Sequence, residues 1–422
     1  MFSLFGLLAV VNLVAAAAVP SLNFGGHAKA VYFMSNNKDG NQIYALPADG
    51  RGFLSDGSVT KTGGKGAKEV SPTPGDSLGS QGSLVLSGNY LYAVNAGSNT
   101  VTVLEIDQND PLKLTIVGEP VDSQGDFPNS IVVSSKLQLA CVTNSGTRAN
   151  INCFRTTKNG LKPYDKTPRS ATLNPAQSNP PVGPPNTISQ ALFNHDESAL
   201  ITLVKGDPFA TPIKIGYVSY FPIHNGEISR EETRSVPNGT VSLFGSMALP
   251  GGNVFATDFA YGTVLLGFDN KGVASNLYKY SIPQQGATCW VAQSPVTNTL
   301  YVTDAAYNTI VGFSPFTGKP IQSSTQNATG DPVTVLNNDA NAMNDIAASG
   351  NLLYATIPGG PYPGKPGPTK PPQMVVLQEV GLAGVKVLQT FTPKIPANTT
   401  LDDAMMGIAV LDKGGLLGNL PF

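Results

Sequence analysis

The sequence predicts an all-β chain folded as a seven-bladed β-propeller. One observation is a hairpin pattern that recurs seven times along the 422 residues. A second is a series of seven short apolar segments, offset from the hairpins. A third is that no apolar period of 3.6 residues runs long enough to predict a substantial helix. Together these patterns favour a ring of four-stranded sheets over a helical repeat.

Each hairpin pattern is a run rich in β-branched and aromatic residues, a short turn of Asn, Asp or Gly, and a second such run. The copies that begin at Asn89 and Asn298 align without gaps, and two more begin at Leu139 and Asn253. Weaker copies span 31–45, 199–220 and 352–380, the last with a Pro/Gly-rich excursion at 358–372. The turns fall near Asn36, Asn95, Asn144, Lys205, Asp258, Asp304 and Ile357. Their spacing of about 46 to 61 residues is typical of propeller blades.

The apolar segments begin near Ser83, Ser130, Ala191, Met247, Val291, Ile346 and Ile408. The first hairpin has no such segment before it, and the last segment, 407–411, has no hairpin after it. We therefore expect the C-terminal strand to join the N-terminal hairpin in one blade. This closure of the ring leaves no sheet edge open at the two chain ends.

The N-terminal residues predict a secreted protein. Residues 1–18 form an uncharged apolar run that ends in four alanines, as in a cleavable signal peptide, so 19–422 is expected to be one propeller domain. The run is too short to span a bilayer, and no membrane span is expected. Three sequons, at Asn238, Asn327 and Asn398, predict N-glycosylation.

Charge and cysteine content limit the function classes. Charged residues make up 13% of the chain and the net charge is −2, without the basic stripe that nucleic-acid binding requires. Only three cysteines occur, so disulfides cannot form the scaffold. Cys141 and Cys153 are equidistant from Thr147, at the centre of a predicted hairpin turn, and we expect them to form a disulfide. Cys289, beside Trp290 in an apolar segment, is expected to be buried.

The pattern Leu-Tyr-x-x-Asn-x-Gly-x-Asn-Thr-Val at 91–101, with the repeats and the N-terminal segment, resembles lactonase-type seven-bladed propellers. That family includes bacterial 6-phosphogluconolactonases and fungal 3-carboxy-cis,cis-muconate lactonising enzymes. The chain is most similar to secreted fungal 3-carboxymuconate cyclase-like proteins, some of them cell-wall glycoproteins. The resemblance implies activity on a lactone or a muconate-type carboxylate. The family's active enzymes place His, Arg and Glu around the central channel, whereas 128–130 and 188–190, the corresponding segments here, contain no His.

Residues beside the start of each innermost strand are expected to border the mouth of the channel, where propellers commonly bind ligands. The predicted ligand-binding residues are Gln81, Asn129, Gln190, Ser246, Thr288, Trp290 and Asn344, and Asp345 is the one catalytic candidate. Amides and hydroxyls suit a small polar molecule, a lactone or a glycan, with stacking on Trp290. The alternative is that these groups only satisfy strand ends and channel water.

The remaining candidate residues predict structural roles. His27, His195 and His224 have no metal-ligand spacing and are expected to be solvated, so neither a metal nor a cofactor is predicted. The Asn and Asp residues at the blade turns are expected to accept backbone N–H groups. Two functions stay open: a monomeric channel enzyme with lactonase or cyclase activity, and a non-catalytic extracellular or cell-wall glycoprotein that binds a ligand or acts as an adhesin.

Overall fold

The computed structural model describes residues 28–70, 76–322, 333–335, 343–362 and 365–413. Regular structure in these residues is entirely β-strand, arranged as seven antiparallel sheets around a central channel. The predicted seven-bladed β-propeller is therefore confirmed. The described part of the chain has no helix with the length and apolar character that crossing a bilayer would require.

Blades are numbered by the order in which their strands first appear in the chain. Blade 1 contains β1 (Ala28–Met34), β2 (Gln42–Pro47), β3 (Ser58–Lys61) and the C-terminal strand β33 (Met406–Asp412). Blade 2 contains β4 (Leu84–Ser87), β5 (Tyr90–Asn95), β6 (Thr100–Ile106), β7 (Leu114–Ile116) and β8 (Val121–Asp122). Blade 3 contains β9 (Pro128–Ser134), β10 (Leu139–Asn144), β11 (Asn150–Thr157), β12 (Gly160–Pro163) and β13 (Arg169–Ser170). Blade 4 contains β14 (Ile188–Phe193), β15 (Ala199–Val204), β16 (Tyr217–His224), β17 (Glu227–Ile228) and β18 (Thr233–Ser235).

The other three blades follow the same plan. Blade 5 contains β19 (Leu243–Ala248), β20 (Val254–Asp258), β21 (Gly262–Phe268) and β22 (Ala274–Ser281). Blade 6 contains β23 (Thr288–Gln293), β24 (Leu300–Asp304), β25 (Thr309–Phe313) and β26 (Val333–Val335). Blade 7 contains β27 (Ile346–Ser349), β28 (Leu352–Ile357), β31 (Gln373–Val380) and β32 (Gly384–Phe391), and a separate hairpin of β29 (Gly360–Tyr362) and β30 (Lys365–Lys370).

The ring closes in blade 1, as the offset of the two sequence patterns predicts. Strand β33 is the innermost strand of that blade and pairs antiparallel with β1, so that Ala409 lies opposite Tyr32. The innermost strands β33, β4, β9, β14, β19, β23 and β27 each contact the next around the circle. We call the end of the channel where these strands begin the N-terminal mouth, and the end where they finish the C-terminal mouth.

The hydrophobic core lies between the blades. Strand β15 is buried at all six positions because the faces of blade 4 pack against blades 3 and 5. Strand β22, at the outer edge of blade 5, instead alternates between more and less exposed side chains. This difference explains why the middle strands are continuous apolar runs in the sequence and the outer strands are weaker patterns.

Two turn carboxylates hold the chain where it enters an innermost strand. Asp304 accepts hydrogen bonds from four backbone N–H groups, those of Gly286, Ala287, Ala306 and Tyr307. Asp258 does the same in blade 5 for Val241, Ser242 and Ala260. Both carboxylates therefore have the predicted role of backbone acceptors.

A disulfide joins the two middle strands of blade 3. Cys141 on β10 lies directly opposite Cys153 on β11, and their sulfurs are 2.11 Å apart. The third cysteine, Cys289, has a free and buried thiol.

Candidate functional site

A cavity of about 280 Å³ lies inside the central channel. Its walls are apolar side chains of the innermost strands of blades 1, 2 and 7. Its lining residues are Gln81, Gly82, Leu84, Val85, Leu86, Gln190, Asp345, Ile346, Ala347, Ala348, Ile408, Ala409 and Val410. We call Gln81, Gln190 and Asp345 the ceiling, because these three polar residues close the cavity towards the N-terminal mouth. The cavity thus combines apolar walls with polar groups at one end, as small-molecule sites commonly do.

A second hollow, of about 360 Å³, lies at the outer rim of blade 1 between Tyr44 and Pro396. Its only charged lining residues, Asp56 and Lys394, form an ion pair with 3.5 Å between Oδ2 and Nζ. Both charged residues of this hollow are therefore paired with each other, whereas the channel cavity is lined by Asp345, which has no ion-pair partner among the described residues.

Asp345 is the single ionisable residue that lines the channel cavity. It directly precedes β27 and is buried. Loss of hydration, together with the nearby charge of Asp76, raises the pKa of its carboxyl group to about 8. Asp345 is consequently protonated at neutral pH, and a neutral carboxylic acid can donate a proton.

The two ceiling amides are already hydrogen-bonded within the chain. Gln81 donates to the carbonyl of Val291 and accepts from the backbone N–H of the same residue, both at 3.0 Å. Gln190 accepts from the backbone N–H of Ser246 at 2.6 Å and from its hydroxyl at 3.0 Å, and donates to its carbonyl at 3.2 Å. Gln190 connects the adjacent blades 4 and 5, whereas Gln81 connects the segment before blade 2 to blade 6 across the channel. The exposed surface of both amides forms part of the ceiling.

The other predicted binding residues do not line the cavity. Asn129 donates to the carbonyl of Ile188 at 2.6 Å, and Thr288 donates to the side chain of Gln285 at 2.9 Å. Asn344 lies with its amide nitrogen 3.8 Å from the sulfur of Met406. Ser246 is committed to Gln190. The structure thus brings together Gln81, Gln190 and Asp345 and places the other residues behind them.

Trp290 is also fully buried. Its indole N–H donates to the carbonyl of Ser80 at 3.1 Å, and its ring packs edge-on against Phe244 with 5.2 Å between centroids. No face of the ring is open for the predicted stacking on a ligand in this conformation.

Sequence reasoning missed a group of buried charges behind the ceiling. Lys205 is fully buried, with its ammonium bonded to the carbonyl of Gly79 and 4.9 Å from the centroid of the Phe244 ring. Its charge interacts with the buried carboxylates of Glu69 and Asp76. Burial raises the pKa of both carboxyl groups, that of Asp76 to about 6, and lowers the pKa of Lys205.

A signal for Lys205 was present in the sequence. It occupies the turn position where five of the other six blades have Asn or Asp, so a cation stands where the repeat usually has a polar or anionic acceptor. Glu69 and Asp76 gave no signal, because they belong to the connection between blades 1 and 2, which has no strand pattern.

The histidines take no part in this site. His224 ends strand β16 with an exposed side chain, and His195 lies in the turn between β14 and β15. His27 lies outside the described residues. Across the described ranges, no three residues among His, Cys, Asp and Glu are grouped so that they could hold a metal ion.

Two of the three sequons lie in described turns. The side chains of Asn238 and Asn398 are exposed. The hydroxyl of Thr240 donates to the carbonyl of Pro237 at 2.8 Å, and that of Thr399 donates to the carbonyl of Pro396 at 2.7 Å. Asn327 and the predicted signal peptide lie outside the described residues.

Fold and cavity together define a seven-bladed propeller with a small channel site whose one ionisable lining residue, among those the structure describes, is Asp345. No protein-family model matches the chain, and no curated protein matches it in sequence. Among solved structures, it is similar to a functionally unknown protein from Desulfotomaculum acetoxidans DSM 771, with a TM-score of 0.54, 12% identity, and coverage of 91% of this chain and 99% of that chain.

Two further structures are similar over much of their length. A putative 6-phosphogluconolactonase from Bacteroides fragilis NCTC 9343 has a TM-score of 0.50 and 15% identity, covering 75% of this chain and 83% of that chain. A chain of a mitotic checkpoint complex has a TM-score of 0.51 and 10% identity, covering 97% and 94%. At these identities the likeness shows a shared fold, and the difference between the last two proteins illustrates that this fold does not determine function.

Proposed function

We propose that the protein opens a small, uncharged lactone in the central channel, with Asp345 as the proton donor. The observation that supports this proposal is the position of Asp345, a buried carboxyl group in the polar ceiling of the channel cavity. The fold is shared with a putative 6-phosphogluconolactonase, which makes a lactone a reasonable substrate class to test first.

The composition of the cavity favours an uncharged substrate. A phosphorylated sugar lactone or a muconate-type carboxylate carries anionic groups, which proteins usually bind with Arg or Lys. Among the described residues, the cavity is lined by no Arg, Lys or His. An apolar wall and a neutral acid suit a lactone whose ring carbons contact Val85, Ala347 and Ala409.

The proposed reaction needs one proton from the protein. Water adds to the lactone carbonyl carbon, the bond from that carbon to the ring oxygen breaks, and Asp345 protonates the ring oxygen as it leaves. The proton released from water returns to Asp345, which restores the acid. Proton transfer from a positioned side chain typically contributes about 10²- to 10⁴-fold to a rate.

The test is turnover of uncharged γ- and δ-lactones by the purified protein and by Asp345→Asn. We expect the variant to lose about 10²-fold or more of the rate, because the amide has no acidic proton to donate. Asp269→Asn, the same substitution in an exposed turn of blade 5, should turn over lactones at the wild-type rate. 6-Phosphogluconolactone and 3-carboxy-cis,cis-muconate should be poor substrates.

A non-catalytic binding protein is the second candidate. The observation in its favour is that the two ceiling amides are already hydrogen-bonded within the chain, which leaves Asp345 as the one ionisable group that the described part of the cavity offers to a ligand. Saturable binding of lactones without turnover would support this function, and full turnover by Asp345→Asn would contradict the proposed acid.

We also propose that the protein is secreted, remains monomeric, and carries N-linked glycans in its extracellular or cell-wall location. The exposed turns at Asn238 and Asn398 support the glycan positions. Expression in a eukaryotic secretory host, followed by enzymatic removal of N-glycans, should lower the mass of the secreted protein. Asn238→Gln and Asn398→Gln should each remove one glycan, and an unchanged mass in both variants would contradict these positions.

A further inference from the structure

The segment that leads into blade 2 crosses the N-terminal mouth. We call residues 76–82 the plug. Its residues are buried except Gly82, although the segment belongs to no strand. A connecting loop normally lies on the surface, so a buried one must have its backbone groups bonded to the surrounding structure.

The plug is bonded to three other blades around the ring. In blade 3, the backbone carbonyl of Asn129 accepts from the hydroxyl of Ser80 at 2.7 Å. In blade 4, the carbonyl of Ser189 accepts from the backbone N–H of Gln81 at 3.0 Å. In blade 6, Trp290 donates to the carbonyl of Ser80 at 3.1 Å. Bonds to three blades distributed around the channel mean that the plug crosses its axis.

One charged side chain is bonded to the middle of the plug. The ammonium of Lys205, at the end of blade 4's second strand, donates to the carbonyl of Gly79. Lys205 also faces Asp76 at the first position of the plug, and Glu69 just upstream. The buried ammonium is hydrogen-bonded to the carbonyl of Gly79 and interacts electrostatically with both carboxyl groups, so removing it leaves that buried carbonyl without its donor, which is costly.

We propose that Lys205 is a positioning residue that fixes the plug, and that the plug closes the N-terminal mouth so that ligands enter the cavity through the C-terminal mouth. The inference builds on the channel site of the proposed function, but it concerns access and not the reaction. Its consequence for the substrate is that only a molecule able to pass between the ends of the innermost strands reaches Asp345.

Two thiols, one beside the plug and one in the cavity wall, test this proposal without measuring activity. Cys289 is the native free thiol. It is the second residue of β23 and is buried close to Asp76 and Lys205. Ala348→Cys introduces a second thiol in the cavity wall nearer the C-terminal mouth. The probe is iodoacetamide under native conditions, and the labelled positions are identified by peptide mass spectrometry.

We expect the introduced thiol of the Ala348→Cys variant to be alkylated while Cys289 stays protected in the same molecule. In Lys205→Met, which has a side chain of similar length without charge, Cys289 should be alkylated about ten- to a hundredfold faster. Lys113→Met removes a lysine from an exposed ion pair with Asp107 and should leave Cys289 protected. The emission of Trp290, the only tryptophan, should shift to longer wavelength in Lys205→Met alone.

Gln81→Leu provides a second route if Lys205→Met does not fold. It removes both bonds from the plug to Val291 without changing any charge, and it should also expose Cys289. Protection of Cys289 in a folded Lys205→Met protein would overturn the role of Lys205. If Cys289 of the Ala348→Cys variant is alkylated as fast as the introduced thiol, the proposal that the plug closes the N-terminal mouth is overturned. Neither result depends on turnover, so each is distinguishable from failure of the proposed function.

Discussion

Buried carboxyl groups occur in two regions of this propeller, and their surroundings differ. Asp304, in the turn of blade 6, accepts four backbone N–H groups. Asp345, in the ceiling, faces the channel cavity and the charge of Asp76. Four donors surround the carboxyl group of Asp304, whereas burial raises the pKa of Asp345. Burial alone therefore does not distinguish a structural acid from a chemical one. The two carboxyl groups differ in the number of donors that the protein supplies to them.

The largest effect on the free energy of unfolding is expected from removing the carboxylate of Asp304, which has four backbone donors. Asp304→Ala leaves four backbone N–H groups of a part-buried turn without an acceptor, and we expect a loss of about 3 kcal/mol in the free energy of unfolding. Urea unfolding measures this loss. The matched control is Asp269→Ala, whose backbone partners at Lys271 and Val273 are exposed, so that water replaces the carboxylate. Equal losses in the two variants would show that a carboxylate bonded to part-buried backbone N–H groups contributes no more to stability than one bonded to exposed groups.

The raised pKa of Asp345 should make the free energy of unfolding depend on pH. The pKa of Asp345 is about 8 in the folded protein and about 4 in an unfolded chain. Between these values the folded state holds a proton that the unfolded state has released. Asp345 therefore stabilises the fold most fully below about pH 4, and this contribution is lost as the pH rises towards 8.

Asp345→Asn should remove this dependence. From pH 5 to pH 7 the wild-type free energy of unfolding should fall relative to the variant, by up to about 1.4 kcal/mol per pH unit. Glu69 and Asp76, whose pKa values are also raised, act in the same direction in both proteins, so the difference between the two proteins isolates Asp345. Parallel curves for the two proteins would show that Asp345 is ionised in the folded state.

A smaller effect is expected from a ceiling amide. Gln190→Ala leaves the buried backbone N–H of Ser246 without its acceptor and should cost about 1–2 kcal/mol in the free energy of unfolding. Gln373→Ala removes an exposed hydrogen bond to Thr392 and serves as the control. Gln190→Ala could instead be as stable as the control and bind lactones more weakly. That result would show that the amide of Gln190 binds the ligand and does not stabilise the contact between blades 4 and 5.

The smallest effect is expected at an exposed charge. Arg148 bonds to Asp126 at 2.8 Å, but its side chain is 59% exposed. Arg148→Met should change the free energy of unfolding by less than about 1 kcal/mol, because the guanidinium is solvated and the buried carboxylate of Asp126 keeps its hydrogen bonds from the backbone N–H of residue 148 and the amide of Asn99. A larger loss in thermal or urea unfolding would mean that pairing contributes to stability even where solvent is available.

The sequence predicts the fold well because the repeated hairpins are local patterns. The predicted starts of the innermost strands lie within a few residues of β4, β9, β14, β19, β23, β27 and β33. The carboxylates of Asp258 and Asp304 were predictable for the same reason, since their backbone partners lie in the turns beside their own hairpins. Ring closure followed from counting the two offset patterns.

The channel site was only partly predictable, because its chemistry depends on contacts between distant residues. Asp345 was placed correctly beside an innermost strand, but its surroundings depend on Asp76, in a different connection. The plug could not be foreseen, since residues 76–82 resemble any polar loop in sequence. Trp290 is buried because it packs against the plug and donates to the carbonyl of Ser80. The predicted stacking of Trp290 on a ligand is therefore wrong for this conformation, and no local sequence pattern indicates the plug.

The most direct test of the account is the protonation state of Asp345 at neutral pH. An infrared difference spectrum between the wild-type protein and Asp345→Asn, recorded at pH 7, isolates the carboxyl group of this residue. We predict that the wild type contributes the carbonyl absorption of a protonated carboxylic acid, and that this absorption disappears as the pH is raised past about 8. An ionised carboxylate band at pH 7 would contradict the account, because Asp345 would then have no proton to donate.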